Sequence, residues 1–95
     1  MSKLSYAFPA ILSYADDGIT ITFPDIPGCI SEAQSDEEAI NNATEALELW
    51  LASSELDKEP LLEPSQLLSI VTKHNERAIL VTADMINARC KLKLI

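Results

Sequence analysis

The sequence predicts a single small α+β domain, in which one main helix packs on one face of a mostly antiparallel sheet. The chain has 95 residues and 47% apolar content, which is enough for one hydrophobic core. Alternating apolar segments, typical of strands, lie before and after one acidic segment with helical spacing. No apolar run approaches the roughly 20 residues that span a bilayer, so we expect no membrane role and a cytoplasmic location.

The first two strands should form a hairpin. Residues 5–14, SYAFPAILSY, are rich in aromatic and β-branched side chains, and residues 15–18, ADDG, form a turn signal. Residues 19–23, ITITF, alternate apolar and polar side chains, which is the period of a half-buried strand. Pro9 has no N–H to donate, so we expect an edge or a bulge at its side of the first strand.

The stretch FPDIPGC, residues 23–29, should reverse the chain. Pro24 and Pro27 cannot donate ladder hydrogen bonds, and Gly28 favours a turn conformation. The following residues 29–34, CISEAQ, are long enough for a short third strand.

The main helix has the clearest start signal in the chain. Ser35 and Glu38 form a capping box, with acidic residues at the positive end of the helix. Helical spacing predicts that one face packs on the sheet through Ala39, Ile40, Ala43, Leu47, Trp50 and Leu51. The opposite, solvent-facing side carries Glu37, Asn41, Glu45 and Glu48.

The rest of the chain predicts a second short helix and two more strands. Residues 64–71, PSQLLSIV, read as the helix, and residues 77–84, RAILVTAD, as a strand. Residues 89–95, RCKLKLI, alternate basic and apolar side chains and predict a basic terminal strand. We therefore divide the chain into a domain of residues 1–86 and a basic strand or tail of residues 87–95, too short for a complete DNA-binding domain.

The charge of the chain favours a basic partner. The net charge is −8 and the isoelectric point is near 4.4, so nucleic acid or an anionic membrane would be repelled over most of the surface. The charge is uneven: residues 1–72 hold Lys3 and Lys58 against 13 acids, net −11, whereas residues 73–95 hold five bases against two acids, net +3.

Clustered carboxylates are the first candidates for catalysis or metal binding. Asp16, Asp17 and Asp25 could bind a divalent metal. Their positions in a hairpin and in a proline-bounded turn are explained by turn chemistry alone.

Histidine and cysteine side chains that could bind zinc are few as well. His74, Cys29 and Cys90 lack the paired spacing of structural zinc sites, and two cysteines form no disulfide framework. The sequence separation between the cysteines and His74 does not exclude a cysteine–histidine nucleophilic pair, although a small buried cysteine is the commoner case. We expect no enzyme activity, no metal and no cofactor.

Residues 6–51 resemble the N-terminal domain of HicB antitoxins. The ordered set is a proline-containing first strand, an Asp-Gly turn, FPDIPGC, an acidic capping box and a helix rich in Ala and Leu. The resemblance extends loosely to about residue 85. It implies a truncated RNase H-like fold without the metal-binding carboxylates of a nuclease. It also implies a partner, a HicA-like mRNA interferase, which is a small basic ribonuclease whose active face the antitoxin covers.

The resemblance and the acidic body together suggest which residues contact the toxin. The hypothesis names Asp25, Ile26, Pro27, Cys29, Glu32, Glu45 and Glu48. Many family members add a helix-turn-helix or ribbon-helix-helix module, and residues 87–95 have no room for either, so complete operator binding is not expected. The terminal strand would instead pair with a symmetry mate or with the toxin, and its self-association or DNA contacts would come from Arg89, Lys91 and Lys93.

The leading hypothesis is therefore an antitoxin that occludes a basic ribonuclease and forms a homodimer. One alternative is a dimeric transcriptional regulator that uses its basic tail on DNA, which a salt-dependent gel shift would reveal. A second is an orphan that has lost its toxin. A third is a residual metal-dependent nuclease, whose RNA cleavage would require Mg²⁺ and would be abolished by Asp25→Asn.

Overall fold

A computed structural model describes the fold over residues 5–58 and 63–93. In chain order the elements are β1 (Ser5–Ala15), β2 (Gly18–Thr22), β3 (Ile30–Ala33), α1 (Asp36–Leu56), a 3-10 turn (Leu67–Ser69), β4 (Glu76–Asp84) and α2 (Met85–Lys93). The strands form one antiparallel sheet in the order β3-β2-β1-β4. The predicted α+β class is confirmed.

The β1–β2 hairpin is built as predicted. Ala15 pairs with Gly18, which leaves residues 16–17 as the turn. Gly18 has a φ of +139°, and a Cβ there would lie 2.8 Å from the side-chain nitrogen of Gln34 and 3.0 Å from the carbonyl oxygen of Ala33. Only glycine fits this position, because both the backbone angle and the space exclude a side chain.

Pro9 lies inside β1 without removing a ladder hydrogen bond. The backbone N–H of Tyr14 donates to Asn75 O at 2.9 Å, so even-numbered residues of β1 direct their N–H groups toward β4. Pro9 is odd-numbered and faces the β2 side, where pairing begins only at Ile11 opposite Thr22. The expected edge at Pro9 is confirmed on that side.

The hydrophobic core lies between one face of the sheet and α1. The buried sheet residues are Phe8, Ala10, Leu12, Ile19, Ile21, Val81 and Ala83, and the buried helix residues include Ala39, Ala43, Leu47 and Leu51. The two alanines in the first half of α1 let the helix approach the sheet closely. Leu47 and Leu51 then fill the space beyond them, and burial of each contributes about 1.5–3 kcal/mol.

The start of α1 confirms the predicted capping box. Ser35 is extended, and its Oγ accepts a hydrogen bond from Glu38 N at 3.2 Å. Glu38 Oε1 reaches back and accepts from Gln34 N at 3.0 Å. Side chains thus accept hydrogen bonds from the backbone N–H groups of Gln34 and Glu38, before and after the cap residue Ser35.

The face of α1 that packs inward differs from the prediction. Ile40 and Trp50 were expected in the core, but they are 54% and 38% exposed. Glu48 was expected in solvent, but it is only 4% exposed. The difference arises because α2 packs against α1 and covers the side of α1 that carries Glu48.

The predicted basic terminal strand is wrong, because residues 85–93 form the helix α2. Asp84 Oδ1 accepts from the backbone N–H groups of Ile86 and Asn87, at 3.0 and 3.3 Å, and so caps the helix. Met85 and Ala88, three residues apart, are both buried. Local capping and packing therefore override the alternating pattern. Residues 94–95 lie outside the described residues.

The second short helix of the fold is α2, and the helix predicted over residues 64–71 is wrong. Only Leu67–Ser69 form a single 3-10 turn, which is held by Ser69 N donating to Gln66 O at 3.0 Å. Within residues 5–58 and 63–93, no helix is long and apolar enough to cross a membrane.

Candidate protein-binding surface

The turn of residues 23–29 consists of two successive reversals. Ile26 N donates to Phe23 O at 3.0 Å, and Cys29 N donates to Ile26 O at 3.1 Å. Gly28 has a φ of +97°, and a Cβ on it would lie 3.3 Å from the outer ring of Trp50. The turn is thus seated against α1 through the contact between Gly28 and the indole.

Asp25 ties this turn to a distant part of the chain. Its two carboxylate oxygens accept hydrogen bonds from the backbone N–H and the hydroxyl of Ser65, each at 2.7 Å. The side chain is half-buried. Asp25 therefore holds the segment after α1 in place, and its toxin contact stays a prediction.

Two other predicted toxin contacts are buried in the free chain. Ile26 and Cys29 are 6% and 4% exposed. Cys29 Sγ donates to the carbonyl oxygen of Ala46 on α1 at 3.7 Å, and burial raises the pKa of the thiol to about 11. The thiol is protonated near neutral pH, which does not suit the nucleophilic pair left open by the sequence.

Glu48 is also turned inward. Glu48 Oε2 accepts from Asp84 N at 3.0 Å, and Glu48 Oε1 accepts from the side-chain amide of Asn87 at 3.1 Å. The carboxylate thereby joins α1 to the end of β4 and the start of α2. It is buried rather than part of an acidic face.

The remaining predicted contacts are exposed, but they do not share one face, because Glu45 lies on α1 whereas Glu32 pairs with Thr20 on the sheet face that points away from α1. Pro27, Glu32 and Glu45 are exposed. Asn42 Nδ2 donates to Glu32 O at 2.8 Å and holds α1 beside the outer edge of β3. A groove between the two elements is lined by Ser31, Asn42, Glu45, Ala46 and Leu49.

Three large apolar side chains on β3 and α1 are exposed, and the sequence reasoning missed this. Ile30 is 61% exposed, Leu49 is 58% exposed and Trp50 is 38% exposed. A signal was present, because Leu49 and Trp50 both fall outside the four-residue spacing of Ala43 and Leu47. We call this site the β3–α1 surface and define it by Pro27, Ser31, Asn42, Glu45, Leu49 and Trp50.

The comparison with known families agrees with this architecture. A family model described as the HicB-like antitoxin of bacterial toxin–antitoxin systems matches residues 8–93. The chain belongs to this family. The resemblance found in residues 6–51 is thereby confirmed, and it extends through β4 and α2.

Two curated relatives match this HicB-like chain over part of its length. A 14.9 kDa protein from the rep–hol intergenic region of Haemophilus phage HP1 is 27% identical over 75 residues, which is 79% of this chain and 56% of the relative. A UPF0150 protein of Helicobacter pylori is 37% identical over 49 residues, or 52% of this chain and 68% of the relative. The chain therefore spans little more than half the length of the phage relative.

Solved structures share the HicB-like fold. A chain of a toxin–antitoxin complex from Streptococcus pneumoniae matches with a TM-score of 0.82 at 18% identity, covering 96% of this chain and 77% of that one. A chain of the HicA3–HicB3 toxin–antitoxin complex gives 0.70 at 20% identity, covering 83% and 99%. The Burkholderia pseudomallei antitoxin HicB gives 0.71 at 26% identity, covering 80% and 61%.

The basic residues near the end of this HicB-like chain do not form a free basic strand. Arg89 Nε and Nη2 each donate to one carboxylate oxygen of Glu55 on α1, at 2.7 Å. This hydrogen bond lowers the pKa of Glu55 and raises that of Arg89. Arg89 thus fastens α2 to α1, and the side chains of Lys91 and Lys93 lie outside what the structure describes.

No group of three or more His, Cys, Asp and Glu side chains among the described residues is arranged to hold a metal ion.

Proposed function

We propose that this chain is an antitoxin that binds and occludes a small basic HicA-like ribonuclease in the cytoplasm, stoichiometrically and without chemistry of its own. The observation that carries the proposal is the β3–α1 surface, where the exposed apolar side chains of Leu49 and Trp50 lie on the same helix as the exposed carboxylate of Glu45. Family membership and the likeness to chains from toxin–antitoxin complexes support it.

The apolar part of the surface would supply most of the affinity. Binding hot spots are rich in tryptophan and large apolar contacts that become fully desolvated. Trp50 is anchored on one side by Gly28 and open on the other, so it can bury further area without losing conformational freedom. Leu49 presents more than half of its surface to solvent.

The carboxylates would supply steering and selectivity. Glu45 lies one helical turn from Leu49, and the whole chain carries a net charge of −8. An acidic surface speeds encounter with a basic ribonuclease and repels acidic proteins and RNA.

The test is titration of the full chain with a purified HicA-family ribonuclease, by calorimetry and by an RNA cleavage assay. We expect saturable binding and loss of cleavage at equimolar protein. Leu49→Arg should weaken binding by at least about tenfold, because it places a cation against a basic partner and removes an apolar contact. Leu68→Arg, a leucine that is 97% exposed near β4, is the matched control and should bind normally.

Two results would overturn the proposal in different ways. If the wild-type chain neither binds the ribonuclease nor blocks cleavage, the antitoxin function is wrong. If Leu49→Arg binds as tightly as wild type, the toxin occupies another surface.

A further inference from the structure

The groove of the β3–α1 surface lies between one stripe of α1 and one residue of β3. On α1 it is lined by four residues at the three- and four-residue spacing of a single helix face, Asn42, Glu45, Ala46 and Leu49. On β3 it is lined by Ser31, which pairs with the buried Ile21 and so points to the α1 side of the sheet. The groove has a volume of about 240 Å³, many times the roughly 30 Å³ of one water molecule, so it can admit a long side chain.

Two hydrogen bonds hold the walls of the groove in place. Asn42 Nδ2 on α1 donates to Glu32 O on β3 at 2.8 Å. Cys29, immediately before β3, donates through Sγ to the carbonyl oxygen of Ala46 at 3.7 Å. The groove is therefore formed before a partner arrives, and binding in it costs little ordering of the chain.

The polar groups of the groove are suited to accepting hydrogen bonds from a cation. Because Asn42 donates through Nδ2 to β3, its Oδ1 is the atom left to accept. The hydroxyl of Ser31 can accept as well. Glu45 is exposed, and within the described residues it takes part in no ion pair. None of the residues that line the groove carries a positive charge, so the charge it offers to a partner is purely negative.

The rest of the groove is apolar. Ala46 is partly buried and packs against the hydrophobic core, whereas Leu49 is 58% exposed. Glu45 and Leu49 are four residues apart, about 6 Å along the helix axis, which is within the length of an arginine or lysine side chain. An aliphatic chain along Ala46 and Leu49 would bury apolar area while its charged end reaches Glu45.

The placement of the acceptors favours arginine over lysine. The acceptors belong to two elements, Ser31 to β3 and Glu45 and Asn42 to α1. The guanidinium group is a planar fork with five donors and can bond to several separated acceptors at once. The ammonium group of lysine is compact and strongly hydrated, so it gains less from this arrangement.

We infer that the groove is a binding site for one arginine side chain of a basic partner, with the guanidinium on Glu45 and the aliphatic stem along Ala46 and Leu49. The inference rests on the proposed antitoxin function for the identity of the partner, the basic ribonuclease, and names the chemical group that this surface recognises. Charge complementarity selects the partner, because the chain carries a net charge of −8.

The first test needs no ribonuclease. The isotopically labelled full chain is titrated with N-butylguanidinium, which carries the charged group of arginine on an aliphatic stem, and amide chemical shifts are followed by NMR. We expect saturable shifts at Ser31, Asn42 and Ala46, with a dissociation constant of roughly 1–10 mM. Butylammonium should bind at least about threefold more weakly, and n-butanol should not saturate.

Two glutamate variants show whether the site depends on the groove. Glu45→Gln keeps the shape of the side chain and removes its charge, so it should raise the dissociation constant of N-butylguanidinium at least about tenfold. Glu37→Gln is the matched control, since Glu37 is an exposed glutamate on α1 that does not line the groove, and it should bind like wild type. Circular dichroism checks that both variants are folded.

Two kinds of result from this titration would overturn the inference. If both variants bind equally well, or if the shifts spread over the whole surface, the guanidinium responds only to net charge. If butylammonium or n-butanol binds in the groove as tightly as N-butylguanidinium, the groove does not select arginine.

The second test uses a purified HicA-family ribonuclease and calorimetry. Glu45→Gln should weaken its binding by at least about tenfold, whereas Glu37→Gln should not. An arginine-to-glutamine scan of the ribonuclease should find one arginine whose substitution weakens binding to wild type but causes no further loss in Glu45→Gln. Ribonuclease binding to Glu45→Gln at wild-type strength would overturn the inference and leave the antitoxin function standing. Guanidinium binding in the groove without any ribonuclease binding would keep the arginine site and refute the antitoxin function.

Discussion

Single residues in this chain act mainly as connectors between elements that are distant in sequence. Asp25 bonds Ser65, Glu48 bonds Asp84, and Glu55 bonds Arg89. Each of these carboxylates lies in a segment that the sequence marks as acidic and solvated. Their partners come 34 to 40 residues later, so no local pattern reveals them.

Glu48→Ala should destabilise the fold by about 2–3 kcal/mol, because it leaves the N–H of Asp84 and the amide of Asn87 without this acceptor. Urea unfolding measures the change. Glu45→Ala, an exposed glutamate on the same helix, should change stability by less than about 0.5 kcal/mol. Equal effects of the two substitutions would contradict the role given to Glu48.

Cys29 and Cys90 should differ sharply in reactivity. Cys90 is exposed, whereas burial raises the pKa of Cys29 from 9.0 to about 11. At pH 8 this shift alone lowers the thiolate fraction of Cys29 about a hundredfold. Iodoacetamide labelling followed by mass spectrometry should modify Cys90 first, and Cys29 only after unfolding. Equal labelling rates in the native protein would show that Cys29 is accessible.

Glu55 should make stability depend on pH at the acidic end. Arg89 lowers the folded-state pKa of Glu55 below 4.5, so the contribution of Glu55 is fully present above pH 4.5. It is lost as pH falls through the folded-state value. Glu55→Gln should therefore be less stable than wild type at pH 7 and converge with it in acid, as followed by thermal unfolding. A constant difference across pH would contradict this.

At the scale of elements, the sequence predicts those parts whose signals are local. The hairpin, the turn of residues 23–29, the start of α1 and β4 all follow from alternation, turn residues and a capping box. The segment RCKLKLI alternates, and its residues are also good helix formers, so periodicity alone does not decide its structure. The segment is helical because Asp84 caps α2 and Met85 is buried. Asp84 itself lies at the end of a predicted strand.

The difference between local signals and tertiary packing also explains which part of the candidate site was predicted. Pro27 and Glu45 were predicted from turn chemistry and charge, and they are exposed. Leu49 was missed, because the exposure of an apolar residue depends on which faces of α1 are covered by β3 and α2. That arrangement is tertiary, and only the positions of Leu49 and Trp50 outside the spacing of Ala43 and Leu47 give a sequence signal for it.

Asp84→Ala should unravel the first turn of α2 and cost about 1 kcal/mol, since Ile86 and Asn87 lose their capping acceptor. Amide exchange at these two residues should accelerate. Asp84→Asn keeps a side-chain oxygen and should retain most of the protection. If both variants behave like wild type, the cap does not determine the helix.

On the scale of the whole molecule, the net charge should make the proposed toxin binding depend on salt. The β3–α1 surface belongs to a chain with a net charge of −8. Raising the ionic strength should slow association with a basic ribonuclease, because screening shortens the Debye length to about 3 Å at 1 M. Stopped-flow kinetics measure the association rate, and a rate that does not fall with added salt would contradict the role given to the acidic charge.

The pairing of β1 with β4 also has a consequence for how the chain is made. Ser5 pairs with Asp84, so the first strand to leave the ribosome waits for one of the last. At about 5–20 residues per second, residues 23–84 alone take roughly 3–12 s to synthesise. During that interval β1 and β2 can form their hairpin, but one side of β1 has no partner. A nascent antitoxin is therefore open to misassociation in that window, and the sheet is complete only when the chain is nearly finished.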